Sequence, residues 1–169
     1  MSPVRAGIAL GSNLGDRVNV LQKAKDRILA IDGVDLPVLQ SPVYETSPVD
    51  CEPGAPNFYN AVIEIGFKGS ADALLTHLRQ IELALGRERE HRRNVSRTID
   101  LDLLYFDDLR CDEMDLQLPH PRIAERAFVL RPLADIAPDL RLPGQTATVR
   151  ELLANLGSDQ SIRPVTDKW

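Results

Sequence analysis

Residues 97–104 read Arg97-Thr98-Ile99-Asp100-Leu101-Asp102-Leu103-Leu104, and their pattern is the most informative one for the predicted fold. Ile99, Leu101 and Leu103 occupy alternate positions, and this period of two is typical of a strand with one buried face. The pattern predicts a strand over residues 98–106. Because aspartate is disfavoured inside strands, the two aspartates on the other face need an explanation of their own.

Five further elements are predicted before this strand. They are a strand over residues 5–10, a helix over 18–29 that ends at Asp32-Gly33, a weak strand over 38–44, a strand over 61–67, and a helix capped by Ser70 that stops at Gly86. Residues 46–57 hold three prolines and a glycine, which predicts a long loop. The order β-α-β-β-α-β indicates an α+β, ferredoxin-like fold with an antiparallel sheet and both helices on one face.

About 60 residues follow this unit and are expected to form a C-terminal extension with short helices. Pro121 is suited to the first turn of one short helix. Thr148 and Glu151 fit a capping box that opens another, with Leu152, Leu153 and Leu156 on its buried side. No repeat or linker-like stretch is visible, so residues 1–169 are expected to form a single domain.

Composition narrows the functional class. The chain has 169 residues with a net charge of −5, whereas general nucleic-acid coat proteins are usually basic. Cys51 and Cys111 lie far apart, which favours free thiols in a reducing cytosol. No apolar run approaches the ~18 residues of a membrane span, and the N-terminus lacks signal-peptide regions. We therefore expect a cytoplasmic protein that binds neither membrane nor nucleic acid.

Positive charge is concentrated in one segment. Arginines far outnumber lysines, and five of them fall within eleven residues: Arg87, Arg89, Arg92, Arg93 and Arg97. Arginine suits bidentate contacts to phosphate, so the cluster suggests a phosphate-bearing ligand. A solvated loop of mixed charge explains the same composition equally well.

Asp100 and Asp102 project from the same face of their strand, about 6.6 Å apart along it. Like charges so placed repel unless cations lie between them. Mg²⁺ is commonly held by one or two carboxylates plus substrate phosphates, so the pair favours a two-metal phosphate site over a merely solvated face. The segment 11–16 resembles a phosphate loop, but neither GxxxxGK[ST] nor GxGxxG occurs in the chain.

The chain resembles the 6-hydroxymethyl-7,8-dihydropterin pyrophosphokinases of folate synthesis over almost its whole length. The segments that carry the resemblance are Gly11-Ser12-Asn13-Leu14-Gly15-Asp16, Tyr44-Glu45-Thr46-Ser47-Pro48, Phe58-Tyr59-Asn60-Ala61, Ile81-Glu82-Leu83 with Gly86-Arg87, residues 97–104, Leu118-Pro119-His120-Pro121-Arg122 and Arg126-Ala127-Phe128-Val129-Leu130. The resemblance implies a Mg²⁺-dependent transfer of pyrophosphate from ATP to the hydroxymethyl group of a reduced pterin, leaving AMP. It also implies a ferredoxin-like fold, and we expect a monomer.

The resemblance implies a role for each matching residue. The positions that match catalytic residues are Arg87, Arg97, Asp100 and Asp102, and the two aspartates would also hold two Mg²⁺ ions. The positions that match ATP-binding residues are Arg89, Leu103, His120 and Arg126. The positions that match pterin-binding residues are Gly11, Thr46, Ser47, Val49, Phe58, Asn60 and Phe128, with Phe58 and Phe128 as the stacking pair. Glu82 matches an acid near the site.

The sequence departs from the family pattern in one loop. The family commonly has Arg-Trp-Gly-Pro-Arg before the aspartates, where this chain has Arg93-Asn94-Val95-Ser96-Arg97. The aromatic side chain that helps to close the loop over the pterin is missing, so closure is expected to differ. Pro121 replaces a tyrosine found in some members.

Three other functions compete with this one. The ATP site could serve a different heterocyclic acceptor, because the loop is altered. A ferredoxin-like RNA-binding module would use the arginines, but carboxylates on the sheet face would repel its ligand. A non-catalytic relative would have little reason to retain both Asp100 and Asp102.

Overall fold

A computed structural model describes residues 1–48, 53–86, 99–157 and 160–169. The elements before the extension are β1 (Val4–Ser12), α1 (Arg17–Leu29), β2 (Val34–Gln40), β3 (Val43–Thr46), β4 (Phe58–Phe67), α2 (Ala71–Ala84) and β5 (Asp100–Phe106). The extension contains β6 (Cys111–Asp112), β7 (Gln117–Leu118), a 3₁₀ turn (Ile123–Glu125), α3 (Ala127–Ile136), α4 (Val149–Asn155) and β8 (Ile162–Thr166).

The main sheet has the strand order β5-β1-β4-β3-β8, and β2 also pairs with β4. Each of these pairings is antiparallel. The separate strands β6 and β7 pair with each other. The predicted α+β, antiparallel, ferredoxin-like arrangement is confirmed, and β8 extends its sheet at one edge.

The two long helices share one core with the sheet, as predicted. Side chains that are fully buried in it include Ile8, Leu10, Leu21, Ile28, Ile63, Ile65, Leu74 and Leu78. The backbone N–H of Asn19 donates to Asp16, and that of Ala73 donates to Ser70, so each helix begins at a side-chain cap. Gly86, with φ of 99°, follows α2 in the left-handed region that glycine adopts most easily.

A β-bulge in β5 places side chains on the other face of the sheet. Ile8 pairs with Leu103 but Gly7 pairs with Tyr105, so Leu104 is an inserted residue and Tyr105 changes face. A second core forms there between the sheet and helices α3 and α4, with the buried side chains Val62, Leu104, Tyr105, Val129, Leu130, Leu133 and Val149. Asp100 and Asp102 precede the bulge and lie on this second face.

Two element boundaries differ from the sequence-based prediction. The weak strand over 38–44 is in fact two strands, interrupted at Ser41-Pro42, where Ser41 exchanges hydrogen bonds with Val62 and Pro42 has no N–H to continue the ladder. After Pro121 the chain forms only the short 3₁₀ turn, which ends where the backbone of Arg126 becomes extended. The helix begins at Ala127 instead.

The capping box before α4 is confirmed. The Glu151 N–H donates to Thr148 Oγ1, and the Thr148 N–H donates to the Glu151 carboxylate. The helix packs on the second core through Val149, which is buried, and through Leu152, Leu153 and Leu156, which are partly buried. The strands β6, β7 and β8 were not predicted.

Three residues after β8 the C-terminal tryptophan packs into the core. Trp169 is buried in the core on the α1–α2 side of the sheet, and its indole Nε1 donates to Ser41 O at 2.8 Å. The Lys25 ammonium lies 4.6 Å from the centre of the indole ring and also donates to the Trp169 carbonyl oxygen. The C-terminal segment is therefore held by the pairing of β8 with β3 and by the contacts of Trp169 with Ser41 and Lys25. Within the described ranges, no helix is long and apolar enough to span a membrane.

The Gly7→Ala variant is expected to lower the free energy of unfolding by about 3 kcal/mol, the cost of severe overpacking. A methyl group at residue 7 would overlap the Tyr105 ring. That ring has little room to move, because its hydroxyl donates to the buried Glu64, which also accepts from Arg5. Urea denaturation measures the effect. The same glycine substitution in a Tyr105→Leu background should cost clearly less, and an equal cost would contradict the overlap.

Candidate active site

The register of the sheet brings the predicted site residues into one row. Gly11 pairs with Asp100 on β5 and with Asn60 on β4, and Asn60 pairs with Tyr44 on β3. Adjacent strands lie about 4.8 Å apart, so the Cα atoms of Asp100 and Asn60 lie about 10 Å apart on opposite sides of a glycine. The row therefore places a carboxylate and an amide on the same face of the sheet, with the bare backbone of Gly11 between them.

A cleft opens above this row on the second face of the sheet. The space within it is about 740 Å³, a figure that includes open solvent, so it is a wide cleft and not an enclosed cavity. It is lined by Ala9, Leu10, Gly11, Thr46, Ser47, Phe58, Asn60, Ala61, Asp100, Asp102, Arg126, Phe128, Val129 and Gln160. Nine of the predicted site residues are among these: Gly11, Thr46, Ser47, Phe58, Asn60, Asp100, Asp102, Arg126 and Phe128.

The amide end of the cleft is held by buried groups. Asn60 Nδ2 donates to Thr46 Oγ1 at 2.7 Å, and both side chains are almost fully buried. This bond assigns the Asn60 Oδ1 atom to the side facing Gly11, where an added Cβ atom would lie 2.8 Å from it. A glycine at residue 11 is thus required for a flat ligand to approach both the backbone and the acceptor oxygen.

Two aromatic side chains from different elements contribute to the walls. Phe58 begins β4 and Phe128 lies in the first turn of α3, and both are partly buried. The Arg126 guanidinium lies 5.5 Å from the centre of the Phe128 ring. Tyr44 donates a hydrogen bond to Asp135, which ties α3 to β3. Both phenylalanine rings line the cleft, where they offer aromatic surface to a planar ligand.

The carboxylate end of the cleft combines Asp100, Asp102 and Arg126. Both aspartates are partly buried, and burial lowers the pKa of Arg126 against the opposing effect of the two carboxylate charges. Within the described ranges no three His, Cys, Asp or Glu side chains form a metal cluster. Two carboxylates nevertheless suffice for Mg²⁺ that arrives with a phosphate ligand, because phosphate and water complete its octahedron. The pair fits such a cation.

Glu82 supports the strand that carries the aspartates. Its side chain is buried, and Oε2 accepts a hydrogen bond from the Leu101 N–H at 3.0 Å. Leu101 lies between the two aspartates, so α2 holds β5 at the point where the carboxylates project. This contact gives Glu82 a local structural role beside the cleft.

His120 lies near the carboxylates in a neutral state. Burial, with the nearby positive charge of Arg126, lowers its pKa from 6.5 to about 4, against the opposing effect of Asp100. The Arg122 N–H donates to His120 Nδ1 at 3.2 Å, so the proton of the neutral ring is on Nε2. At neutral pH the imidazole is therefore a hydrogen-bond donor without charge.

His120 is expected to make the ligand-free protein less stable between about pH 6.5 and pH 4. Its folded-state pKa is about 4, so the unfolded chain binds the proton first as the pH falls, and stability decreases. Urea denaturation across this range should show a smaller decrease for the His120→Gln variant than for the unchanged protein. NMR titration of the His120 ring should give a midpoint near 4, and a midpoint near 6.5 would contradict the described environment.

Comparison with known sequences confirms the family that the sequence motifs indicate. Residues 7–138 match the family described as 7,8-dihydro-6-hydroxymethylpterin-pyrophosphokinase (HPPK). The chain belongs to this family. It is 42% identical over 152 residues to the 2-amino-4-hydroxy-6-hydroxymethyldihydropteridine pyrophosphokinase of Methylorubrum extorquens, a match that covers 90% of this chain and 93% of that protein. The corresponding Bacillus subtilis protein is 44% identical over 131 residues, covering 78% of this chain and 77% of that one.

Longer proteins contain a region similar to this HPPK chain. The folic acid synthesis protein fol1 of Pneumocystis carinii is 35% identical over 158 residues, which cover 94% of this chain but 21% of that protein. The structure of Plasmodium falciparum HPPK-DHPS, wild type with pteroate, superposes with a TM-score of 0.71 at 14% identity, covering 91% of this chain and 44% of that one. At that identity the likeness shows the fold.

Some of the predicted HPPK site residues lie elsewhere or are not described. The Leu103 side chain is buried in the core on the α1–α2 side of the sheet, opposite the cleft. His120 lies beside the cleft lining rather than in it. Val49, Arg87, Arg89 and Arg97 lie outside the described residues, as does the altered loop at 93–97.

Sequence reasoning missed several residues that line the cleft. Four of them are Ala9, Leu10, Ala61 and Val129, which lie within or close to the matched segments, and the side chains of Leu10 and Ala61 belong to the core on the opposite face of the sheet. Gln160 is different, because it comes from the C-terminal extension, beyond residue 138 where the family match ends. A single glutamine has no periodicity or spacing that could have identified it.

Proposed function

We propose that the protein transfers pyrophosphate from ATP to the hydroxymethyl group of 6-hydroxymethyl-7,8-dihydropterin, producing AMP and the pterin diphosphate in folate biosynthesis. The observation that carries this proposal is the row across the sheet, in which Gly11 separates Asp100 from Asn60. One cleft thus offers a carboxylate end for a metal-bound triphosphate and an amide-aromatic end for a heterocycle.

The pterin would occupy the amide end. Phe58 and Phe128 supply aromatic faces for a flat ring, and Asn60 supplies an acceptor oxygen whose orientation is fixed by the bond to Thr46. A site that is built to hydrogen-bond a ring N–H discriminates strongly against rings without one, because its buried acceptor would then be unpaired. Asn60 is therefore proposed to recognise the pterin by accepting a hydrogen bond from an N–H group of its ring.

ATP would occupy the carboxylate end. Asp100 and Asp102 would hold Mg²⁺, two ions by the family resemblance, and the metal would neutralise charge on the triphosphate. Arg126 adds a guanidinium beside them, and the neutral His120 offers an Nε2 donor. Arg87, Arg89 and Arg97 are proposed as further phosphate-binding residues, with Arg87 and Arg97 assisting the transfer.

The geometry favours direct transfer between the two ends. Transfer of a phosphoryl-type group depends mainly on positioning and on charge stabilisation, with little covalent participation by the protein. Asn60 and the aromatic walls would orient the pterin so that its hydroxyl faces the β-phosphorus in line. Arg126 would stabilise charge that develops on the phosphate oxygens. We further propose that the enzyme acts as a cytoplasmic monomer and binds no nucleic acid.

A product assay by mass spectrometry tests this function. The protein is incubated with ATP, Mg²⁺ and 6-hydroxymethyl-7,8-dihydropterin, and a parallel sample contains EDTA. AMP and the pterin diphosphate should appear together and only with the metal. ADP would indicate transfer of a single phosphoryl group and would refute the proposed reaction. Mg²⁺-dependent ATP binding without turnover would instead favour a different heterocyclic acceptor.

A further inference from the structure

Gln160 brings the C-terminal segment into the wall of the cleft. Its side chain is partly buried and lines the same cleft as Thr46, Ser47 and Phe58. Its Nε2 donates to the Ser47 carbonyl oxygen at 2.7 Å. The residue precedes β8, the strand that lengthens the ferredoxin-like sheet, so this part of the wall comes from outside the basic fold.

Two more hydrogen bonds fix the same place. The Ser47 N–H donates to Ser161 O at 3.1 Å, and the Ser161 N–H donates to Ser47 Oγ at 3.2 Å. Ser47 is thereby held through its N–H, its carbonyl and its hydroxyl. Because Ser47 directly follows Thr46, which accepts from Asn60, a continuous chain of contacts connects Gln160 to the amide end of the cleft.

We propose that Gln160 is a positioning residue of the pterin pocket, acting through Ser47 and Thr46. This inference rests on the proposed function. Holding the peptide of Ser47 in place before the ligand arrives removes an ordering cost that binding would otherwise carry. The C-terminal extension, and not only the ferredoxin-like unit, then determines pterin affinity.

The sheet order limits this effect to one substrate. Gln160 acts at β3, whereas Asp100 and Asp102 project from β5, with β4 and β1 between them. The carboxylates are held instead by the sheet and by the bond from the Leu101 N–H to Glu82. Loss of the Gln160 contact should therefore weaken binding of the pterin and leave binding of ATP and the chemical step nearly unchanged.

Steady-state kinetics on the full chain test the inference with two variants. Gln160→Ala removes the side chain, and Gln160→Glu retains its size but replaces the donor by an acceptor that repels the Ser47 carbonyl. Each should raise the KM for the pterin by about tenfold, the expected effect of losing one partly buried hydrogen bond, with kcat and the KM for ATP within about twofold. Calorimetric titration of the pterin, with a non-hydrolysable ATP analogue present, should show the same loss of affinity.

Gln22→Ala is the matched control, because Gln22 is exposed on α1. It should leave the three kinetic constants unchanged. An unchanged pterin KM in both Gln160 variants would overturn the inference while the proposed function stands. Equal increases in the KM values of pterin and ATP, or a fall in kcat alone, would also overturn it. Absence of AMP formation by the unchanged protein would instead refute the proposed function, and this inference with it.

Discussion

Replacing Asp102 by asparagine is expected to lower the rate of AMP formation by about 10³-fold or more, and Asp100→Asn should do the same. Asparagine keeps the size of the side chain but cannot supply the negative charge that holds a cation against the triphosphate. The fold should persist, because both side chains face the cleft rather than a core and because removing one of two like charges relieves repulsion. Mass-spectrometric measurement of AMP, together with thermal unfolding, separates the two effects.

Asp108→Asn is the matched control for this pair. Asp108 is an exposed acid just after β5, outside the cleft lining. Its replacement should leave both AMP formation and the unfolding temperature unchanged. Full activity of either Asp100→Asn or Asp102→Asn would rule out the metal-binding role of the pair.

The Gly11→Ala variant should weaken pterin binding by about 100-fold. Its methyl group would lie 2.8 Å from Asn60 Oδ1, so the amide must turn away from the orientation that its bond to Thr46 imposes. The same methyl group would fill the floor of the cleft where the ring approaches the backbone. A misplaced acceptor against a ring N–H is costly, because both groups then lose a hydrogen bond in a buried place.

Calorimetric titration of the pterin, with a non-hydrolysable ATP analogue present, measures this loss. Gly157→Ala is the control, since a Cβ atom at residue 157 would meet no neighbouring atom within 4 Å. An unchanged pterin affinity in Gly11→Ala would show that the ring does not lie over this glycine. Loss of ATP affinity without loss of pterin affinity would reverse the proposed assignment of the two ends.

Features that depend on local sequence were predictable. Alternation at Ile99, Leu101 and Leu103 identified the strand and its buried face, and so placed both aspartates together on the other face. The caps at Ser70 and Thr148 were also visible, because a capping side chain bonds to backbone only a few residues away. The predicted fold class follows from the order of such elements.

Features that depend on a distant partner were not predictable. The break between β2 and β3 lies where Ser41 bonds to Val62. Strand β8 requires β3 as its partner. No pattern within a short window contains such information, because the bond that sets each boundary joins residues far apart in the chain.

The residues of the candidate site also fall into a group that the sequence could predict and a group that it could not. Gly11 and Asn60 were predicted from the family resemblance, Asp100 was predicted from the strand pattern as well, and the register then shows why the three lie in one row. Gln160 was missed because its importance comes from a bond to the Ser47 carbonyl, which any side-chain donor at the right place could make. Single residues that act on backbone atoms have no distinctive sequence signal.

The buried indole of Trp169 gives the protein an intrinsic fluorescence signal for the state of its C-terminal segment. It is the only tryptophan in the chain, and it lies in the core on the α1–α2 side of the sheet, whereas the cleft opens on the opposite face. Its fluorescence should therefore shift to longer wavelength when the C-terminal segment separates from Ser41 and Lys25. Emission from this indole therefore reports whether the C-terminal segment, which also contains Gln160, is attached to the core. A heterocycle bound in the cleft would not contact the indole, because the two lie on opposite faces of the sheet.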